Sequence, residues 1–190
     1  MKQIIQFLTI TLIIIVFPSC LAESNIPEGW FIAGSQPSKY EMGIDNSVFK
    51  DGNSSAYISS TANKINGFGT LMQSCLPNDY LGKKIKMTGY IKSENVDNWA
   101  GLGLRVDGAK GKEPLSFDNM QDRPIKGTTD WTKCEITLDV PKSSASLNYG
   151  ALLSGTGKIW FDSITFIIVG ESEKSPEKIL DSPTNTSFDN

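Results

Sequence analysis

No histidine occurs among the 190 residues. That absence excludes Ser-His-Asp and Cys-His nucleophilic sites, histidine acid–base catalysis and the commonest zinc sites. Catalytic chemistry is left with carboxylate pairs, lysine or tyrosine, and oxygen-ligated metals. A basic excess is missing too: 18 Lys and Arg face 21 Asp and Glu, for a net charge of -3. The short lysine runs, Lys83-Lys84 and Lys110 to Lys112, sit beside turns and read as solvated turn charges, so nothing points to nucleic acid. Sustained helical periodicity is absent between Gly29 and Val169, and there is no internal repeat. Cysteine is scarce, with three in the chain.

The one long apolar run, Ile4 to Phe17, follows Lys2 at the start and is short for a membrane span, which takes about 20 residues. It reads as the core of an export signal over residues 1–22. Two processing routes stay open, with an uncleaved anchor as a third. Cys20 and Ala22 form a small-x-small site with cleavage before Glu23. Alternatively Cys20 carries a lipid, as in bacterial lipoproteins, although Phe17 and Pro18 depart from the usual residues there. The expected location is therefore exported: secreted, periplasmic or lipid-anchored at the envelope. Either cleavage leaves Cys75 and Cys134, a candidate disulfide in an oxidising compartment. The alternative is two free thiols, since Cys134 shares an apolar row with Ile136, Leu138 and Val140.

Residues 23–29 form a short leader, residues 30–169 a β-domain and residues 170–190 a polar tail that reads as disordered. Alternation predicts an edge strand at Trp30 to Ala33, then strands on Tyr40, Met42 and Ile44, on Ala56 to Ser60, and on Gly67 to Cys75. Lys84 to Glu94, Thr132 to Val140, Leu147 to Leu153 and Lys158 to Val169 follow, with Asp51-Gly52-Asn53, Pro77-Asn78-Asp79 and Ser154 to Gly157 as turns. Many strands without helix predict an all-β antiparallel β-sandwich or barrel.

The chain is organised around Trp99 to Trp131. Leu102, Leu104 and Val106 point one way; Gly101, Gly103, Arg105 and Asp107 point the other. The second row places an Arg and an Asp on a surface that two glycines leave flat. The following loop adds Phe117, Asp118, Asn119, Met120, Asp122 and Arg123. Arg105, Asp107, Asp118 and Asn119 are the polar candidates for a ligand surface. The competing reading is an Arg105–Asp107 or Arg105–Asp118 ion pair that only braces the loop. Asp107 with Asp118, or Asp118 with Asp122, are the carboxylate pairs a glycosidase would need, although loop aspartates are usually turn formers.

The closing stretch Lys158 to Phe166 and the strand from Trp131 to Pro141 resemble those of bacterial galactose-binding-like jelly rolls, the group containing many carbohydrate-binding modules. GYIKSENVDNWAGLGLRVDG, LSFDNMQDRPIKGTTDW and LLSGTGKIWFD more closely resemble an uncharacterised domain that occurs alone in secreted proteins. It also occurs attached to transcription regulators and tail-specific-type serine peptidases. The resemblance covers Gly29 to Val169 and implies a jelly-roll sandwich; a fold does not name a ligand. Sugar binding of the kind such modules show needs ring faces and polar groups. Trp99 and Phe117 are the aromatic candidates beside Tyr90, Trp131 and Trp160; Trp131 and Trp160 are expected to pack the sandwich, and Tyr90 to be exposed. The resemblance also implies a candidate structural calcium at Asp162, with Glu41 or Asp51 as partners. The expected function is a non-catalytic, exported ligand-binding module taking a glycan. The alternatives are a protein-interaction or sensory domain, which attachment to regulators favours, and a carboxylate-dependent glycosidase.

Overall fold

Alternation along a strand sets which side chains turn inward, and register sets which neighbours they meet. The computed structural model describes residues 26–109 and 113–173. Among them run nine strands: β1 Trp30–Gly34, β2 Tyr40–Asp45, β3 Ser55–Ser60, β4 Phe68–Cys75, β5 Lys83–Gly108, β6 Ser116–Asp118, β7 Ile125–Val140, β8 Ser144–Ser154 and β9 Lys158–Glu171. Every pairing is antiparallel. The helical content described is two short 3₁₀ turns, Pro37–Lys39 and Asn78–Tyr80.

β5 joins the two layers. The sequence predicts separate strands before and after Asn95 to Asn98, but the chain runs them as one strand of 26 residues. Up to Glu94 it lies against β9, and from Trp99 onward it lies against β8. The change of partner falls where its register with β7 slips between Ile91 and Ala100, and where Asn95 has φ 51°. A bulge there bends the strand from one sheet into the other. The front sheet thus runs β1-β4-β8-β5, with β6 along the far side of β5, and the back sheet runs β2-β3-β9-β5 with β7 outermost. The result is an antiparallel β-sandwich.

The core sits between these sheets. Leu71, Leu102, Leu104, Leu147 and Leu153 enter from the front, and Ile58, Ile85, Met87, Ile136 and Ile159 from the back, all fully buried. Each side chain of this size stabilises the fold by about 1.5–3 kcal/mol relative to exposure. The predicted inward row, Leu102, Leu104 and Val106, is wholly buried.

The β8–β9 turn is pinned from three directions. Gly155 and Gly157 have φ 78° and 123°, and a side chain on Gly157 would meet the backbone of Asn95 and Val96 at 2.8 Å. The Thr156 N–H donates to Asp97 Oδ1 at 2.6 Å, and the Tyr40 hydroxyl donates to the Gly155 carbonyl at 2.8 Å. Burial, reinforced by the charge of Asp97, pushes the Tyr40 hydroxyl up to about 12.

Three expectations need correction. Among the described residues both cysteines are free thiols rather than a disulfide. Cys75 ends β4 at the surface opposite Leu147 of β8, whereas Cys134 is buried on β7 opposite Gly89 of β5, so the two thiols belong to different sheets. The last strand continues to Glu171, two residues past its predicted end, because Glu171 and Gly170 pair with Lys83 and Lys84. Trp160 is buried but points out of the back sheet, between inward Ile159 and Phe161; Trp131 and Tyr90 are half-buried. The export signal, Cys20 and the tail from residue 174 lie outside the described residues.

Candidate functional site: the outer face of the front sheet

The outward row of β5 holds Trp99, Gly101, Gly103, Arg105 and Asp107. Register carries this face across the sheet in two neighbouring rows. One runs Phe31, Met72, Gly150, Gly103, and the next runs Ser74, Asn148, Arg105, Phe117. Glycines thus form the β8–β5 end of the first row, and three polar side chains with Phe117 the second. A Cβ placed on Gly103 would have no heavy atom within 4 Å. The floor at that point is open rather than filled.

Beside this floor the polar groups lock together. Arg105 Nε donates to Asp107 Oδ1 at 2.8 Å and to Oδ2 at 3.0 Å. Asn148 Nδ2 donates to Asp107 Oδ2 at 2.8 Å, and the Ser74 hydroxyl donates to Asn148 Oδ1. The Arg105 side chain is 40% exposed and that of Asp107 25%. Phe117 stands next to Arg105 with 53% of its surface in solvent, and Phe31 is 42% exposed at the other end of the face. The comb of donors and acceptors is held by its own bonds, so its geometry is set before any ligand arrives.

The predicted site residues divide. Arg105, Asp107 and Phe117 come together, as the alternation predicts. Trp99 lies on the same face but six residues along the strand from Arg105, about 20 Å away. Between them the β6–β7 loop crosses the sheet: the Asn119 carbonyl and Met120 sit within about 3 Å of where a Gly101 side chain would be. Asp118 does not join the face. Its register partner is the inward Leu104, and its carboxylate takes the Met120 N–H at 2.8 Å and the guanidinium of Arg123 at 2.6 Å and 3.2 Å. Asn119 accepts the Gln121 N–H at 3.2 Å, a turn-forming bond.

Of the two ion pairs predicted for Arg105, the one with Asp107 forms. Asp118 belongs instead to Arg123, which also binds Asp122 Oδ1 at 2.7 Å and the Glu135 carbonyl at 3.0 Å. These bonds raise Arg123 above its usual range, with the Asp118 hydrogen bond foremost. Arg123 thereby ties the loop to β7 and lets buried Met120 hold its left-handed backbone at φ 62°. The carboxylate pairs offered for acid–base chemistry are each closed by an arginine.

The calcium reading fails on its donor set. Asp162 Oδ2 accepts the Lys50 and Asp51 N–H groups at 2.8 and 3.0 Å, and Oδ1 accepts the Ser163 N–H at 2.6 Å. Glu41 is engaged by the Tyr57 hydroxyl at 2.7 Å, and Asp51 lies 3.8 Å from the Lys50 ammonium. Donors therefore surround Asp162 where a cation needs six to eight oxygens. Among the described residues no three His, Cys, Asp or Glu side chains are grouped to hold a metal.

Comparison with known proteins bears on the same ground. No family model matches the chain. It is 42% identical over 168 residues to an uncharacterised HTH-type transcriptional regulator, YbfP, of Bacillus subtilis, a match covering 85% of this chain and 57% of that one. The chain thus spans little more than half the length of that relative. Among solved structures it is similar to the family 22 xylan-binding domain of Paenibacillus barcinonensis Xyn10C, with a TM-score of 0.53 and 16% identity over 78% of this chain and 90% of that one. The fold is the carbohydrate-module jelly roll. It is shared more widely, for a cyclase of Fischerella sp. matches with a TM-score of 0.56 and 15% identity over 79% of this chain and 89% of that one. At these identities the likeness is one of fold.

Two parts of this face escaped sequence reasoning. Asn148 completes the network from β8, 41 residues after Asp107; its place on the outward row of a predicted strand was the available signal. Ser74, on β4, carried no signal of its own.

Proposed function

We propose that this chain is a non-catalytic ligand-binding module and that the outer face of its front sheet takes a carbohydrate. The observation that carries the reading is the fixed network of Arg105, Asp107, Asn148 and Ser74 beside the open floor at Gly103. Sugar hydroxyls are both donors and acceptors, often in adjacent pairs, and suit such a mixed comb. Charge-assisted bonds from Arg105 and Asp107 would supply much of the affinity. The exposed ring of Phe117 offers an apolar plane to the C–H face of a sugar. The fold likeness to a xylan-binding domain supports this reading but does not choose the glycan. Export to the envelope, with or without a lipid on Cys20, rests on the apolar start of the sequence and belongs to the proposal.

A second reading has its own support. The relative in Bacillus subtilis is a transcriptional regulator, and a domain beside a DNA-binding unit can sense a small ligand or a protein partner instead. A glycan array with the purified protein separates the two. Saturable binding to a defined glycan class, lost in Arg105→Ala, supports the carbohydrate reading. No glycan binding across the array favours the sensory one.

A further inference from the structure

Aromatic side chains that face a sandwich core are normally sealed in it. Here Trp30 and Tyr149 of the front sheet, with Ala56, Ile164 and Phe166 of the back sheet, pack on the core and yet stay only partly buried. The reason is a solvent-open cleft of about 400 Å³ between the sheets, at the side where β1 and the β2–β3 pair form the free edges. Trp30 meets Tyr149 edge-on at 5.8 Å and Phe161 at 5.7 Å, and Tyr149 meets Phe166 edge-on at 4.9 Å. Both sheets thus contribute aromatic walls.

The polar groups around this cleft are already satisfied. Asp162, the charged residue lining it, spends both oxygens on backbone N–H groups. Ser55 donates to the Val48 carbonyl at 2.6 Å, Ser163 donates to Asp51 at 2.9 Å, and the Tyr149 hydroxyl donates to Gln73. An anionic guest would lose its water and find no counter-charge, only the Asp162 carboxylate, and a cationic one would find that carboxylate already engaged by backbone N–H groups. The volume lies in the range of small-molecule sites, and rings set at steep angles offer both faces and edges to a flat guest.

We propose that this cleft binds a neutral, planar aromatic molecule of one or two fused rings, as a second site independent of the outer face. Ser54, which also lines it, would meet a single polar substituent on that guest.

The test uses 2-naphthol at pH 7, where it is neutral, titrated into the ¹⁵N-labelled protein. The expected result is a saturable shift of the Trp30 indole N–H and of the Ser54 and Ser163 amides. Ala56→Phe and Ser54→Trp, which fill the cleft, should each weaken binding about tenfold or more. Arg105→Ala should bind as the wild type does, and 1-octanol should bind more weakly than 2-naphthol. If Ala56→Phe does not fold, Ser54→Trp decides alone. The proposal is overturned by shifts that do not saturate, by unchanged affinity in the filled variants, by shifts confined to the outer face, or by tighter binding of the alkanol.

Discussion

On the back sheet a tryptophan, an aspartate and a lysine close on one another; on the front sheet an arginine–aspartate pair stands beside an exposed phenylalanine and a bare glycine floor. The back-sheet Trp160 is 4% exposed and its Nε1 donates to Asp45 Oδ2 at 2.8 Å. The Lys158 ammonium lies 4.3 Å from the Trp160 ring and 4.8 Å from that of Tyr57, whose hydroxyl is spent on Glu41. Burial, and then the Glu41 hydrogen bond, push the Tyr57 hydroxyl up to about 12. A cation seated over both rings occupies the faces a sugar would use. On the front sheet Phe117 is 53% exposed, and the floor beside the polar network is glycine. Aromatic and charged content alone therefore does not mark a binding face. What matters is whether the rings are covered, as Trp160 is and Phe117 is not, and whether small residues leave room above the sheet.

The sharpest way to test this contrast is to remove the buried ring. Trp160→Ala is expected to cost about 3–5 kcal/mol in chemical denaturation, since it deletes a large buried side chain, and to leave ligand binding at the front face intact. Asp45→Ala should cost less, about 1–2 kcal/mol, by stranding the donors it serves. Those donors, the Ser47 hydroxyl first and then the Trp160 indole and the Ser47 and Val48 N–H groups, hold the Asp45 carboxyl well below the usual carboxylate range. Because the folded value lies below the unfolded one of about 3.9, this contribution is fully present above that pH. It is lost as pH falls from there toward the folded value. The stability gap between wild type and Asp45→Ala should therefore narrow on titration from pH 6 to pH 2.5, and a gap that holds constant would contradict the assignment.

How much of this was legible beforehand differs along one strand. The inward row Leu102, Leu104 and Val106 was readable because a period of two with large apolar residues has one outcome in a sandwich. The outward row was readable in direction, and the Arg105–Asp107 pair followed because two residues apart on one face are neighbours. Its completion by Asn148 and Ser74 was not, since pairing between strands far apart in sequence sets it. Asp118 was misplaced for a local reason: β6 pairs Asp118 with inward Leu104 and so turns it toward Arg123. The bend at Asn95 read as a strand break because a polar Asn-Val-Asp-Asn segment looks like a turn, whereas here it is a bulge inside one strand. Asp162, read as a metal ligand from the resemblance, caps backbone amides; no pattern in sequence separates those roles.

Smaller in energy, but equally definite, is the behaviour of the thiols. Burial pushes the Cys134 thiol up to about 11, while Cys75 lies at the surface. In the folded, unreduced protein a thiol reagent should modify Cys75 promptly and Cys134 only on unfolding. In denaturant both should titrate, and recovery of neither would restore the disulfide.

The central claim is that the front face binds while the back face only packs. Its most direct measurement is titration calorimetry of wild type, Arg105→Ala and Lys158→Ala against the glycan found on the array, with a melting curve for each protein. Arg105 is 40% exposed in its pair with Asp107, so its loss should cost no more than about 1 kcal/mol of stability. Its affinity should fall about 10- to 100-fold, the range expected on removing a charged hydrogen-bond donor. Lys158→Ala should bind as the wild type does. An Arg105→Ala protein that melts early but binds normally, or a Lys158→Ala protein that loses the ligand, would contradict the account.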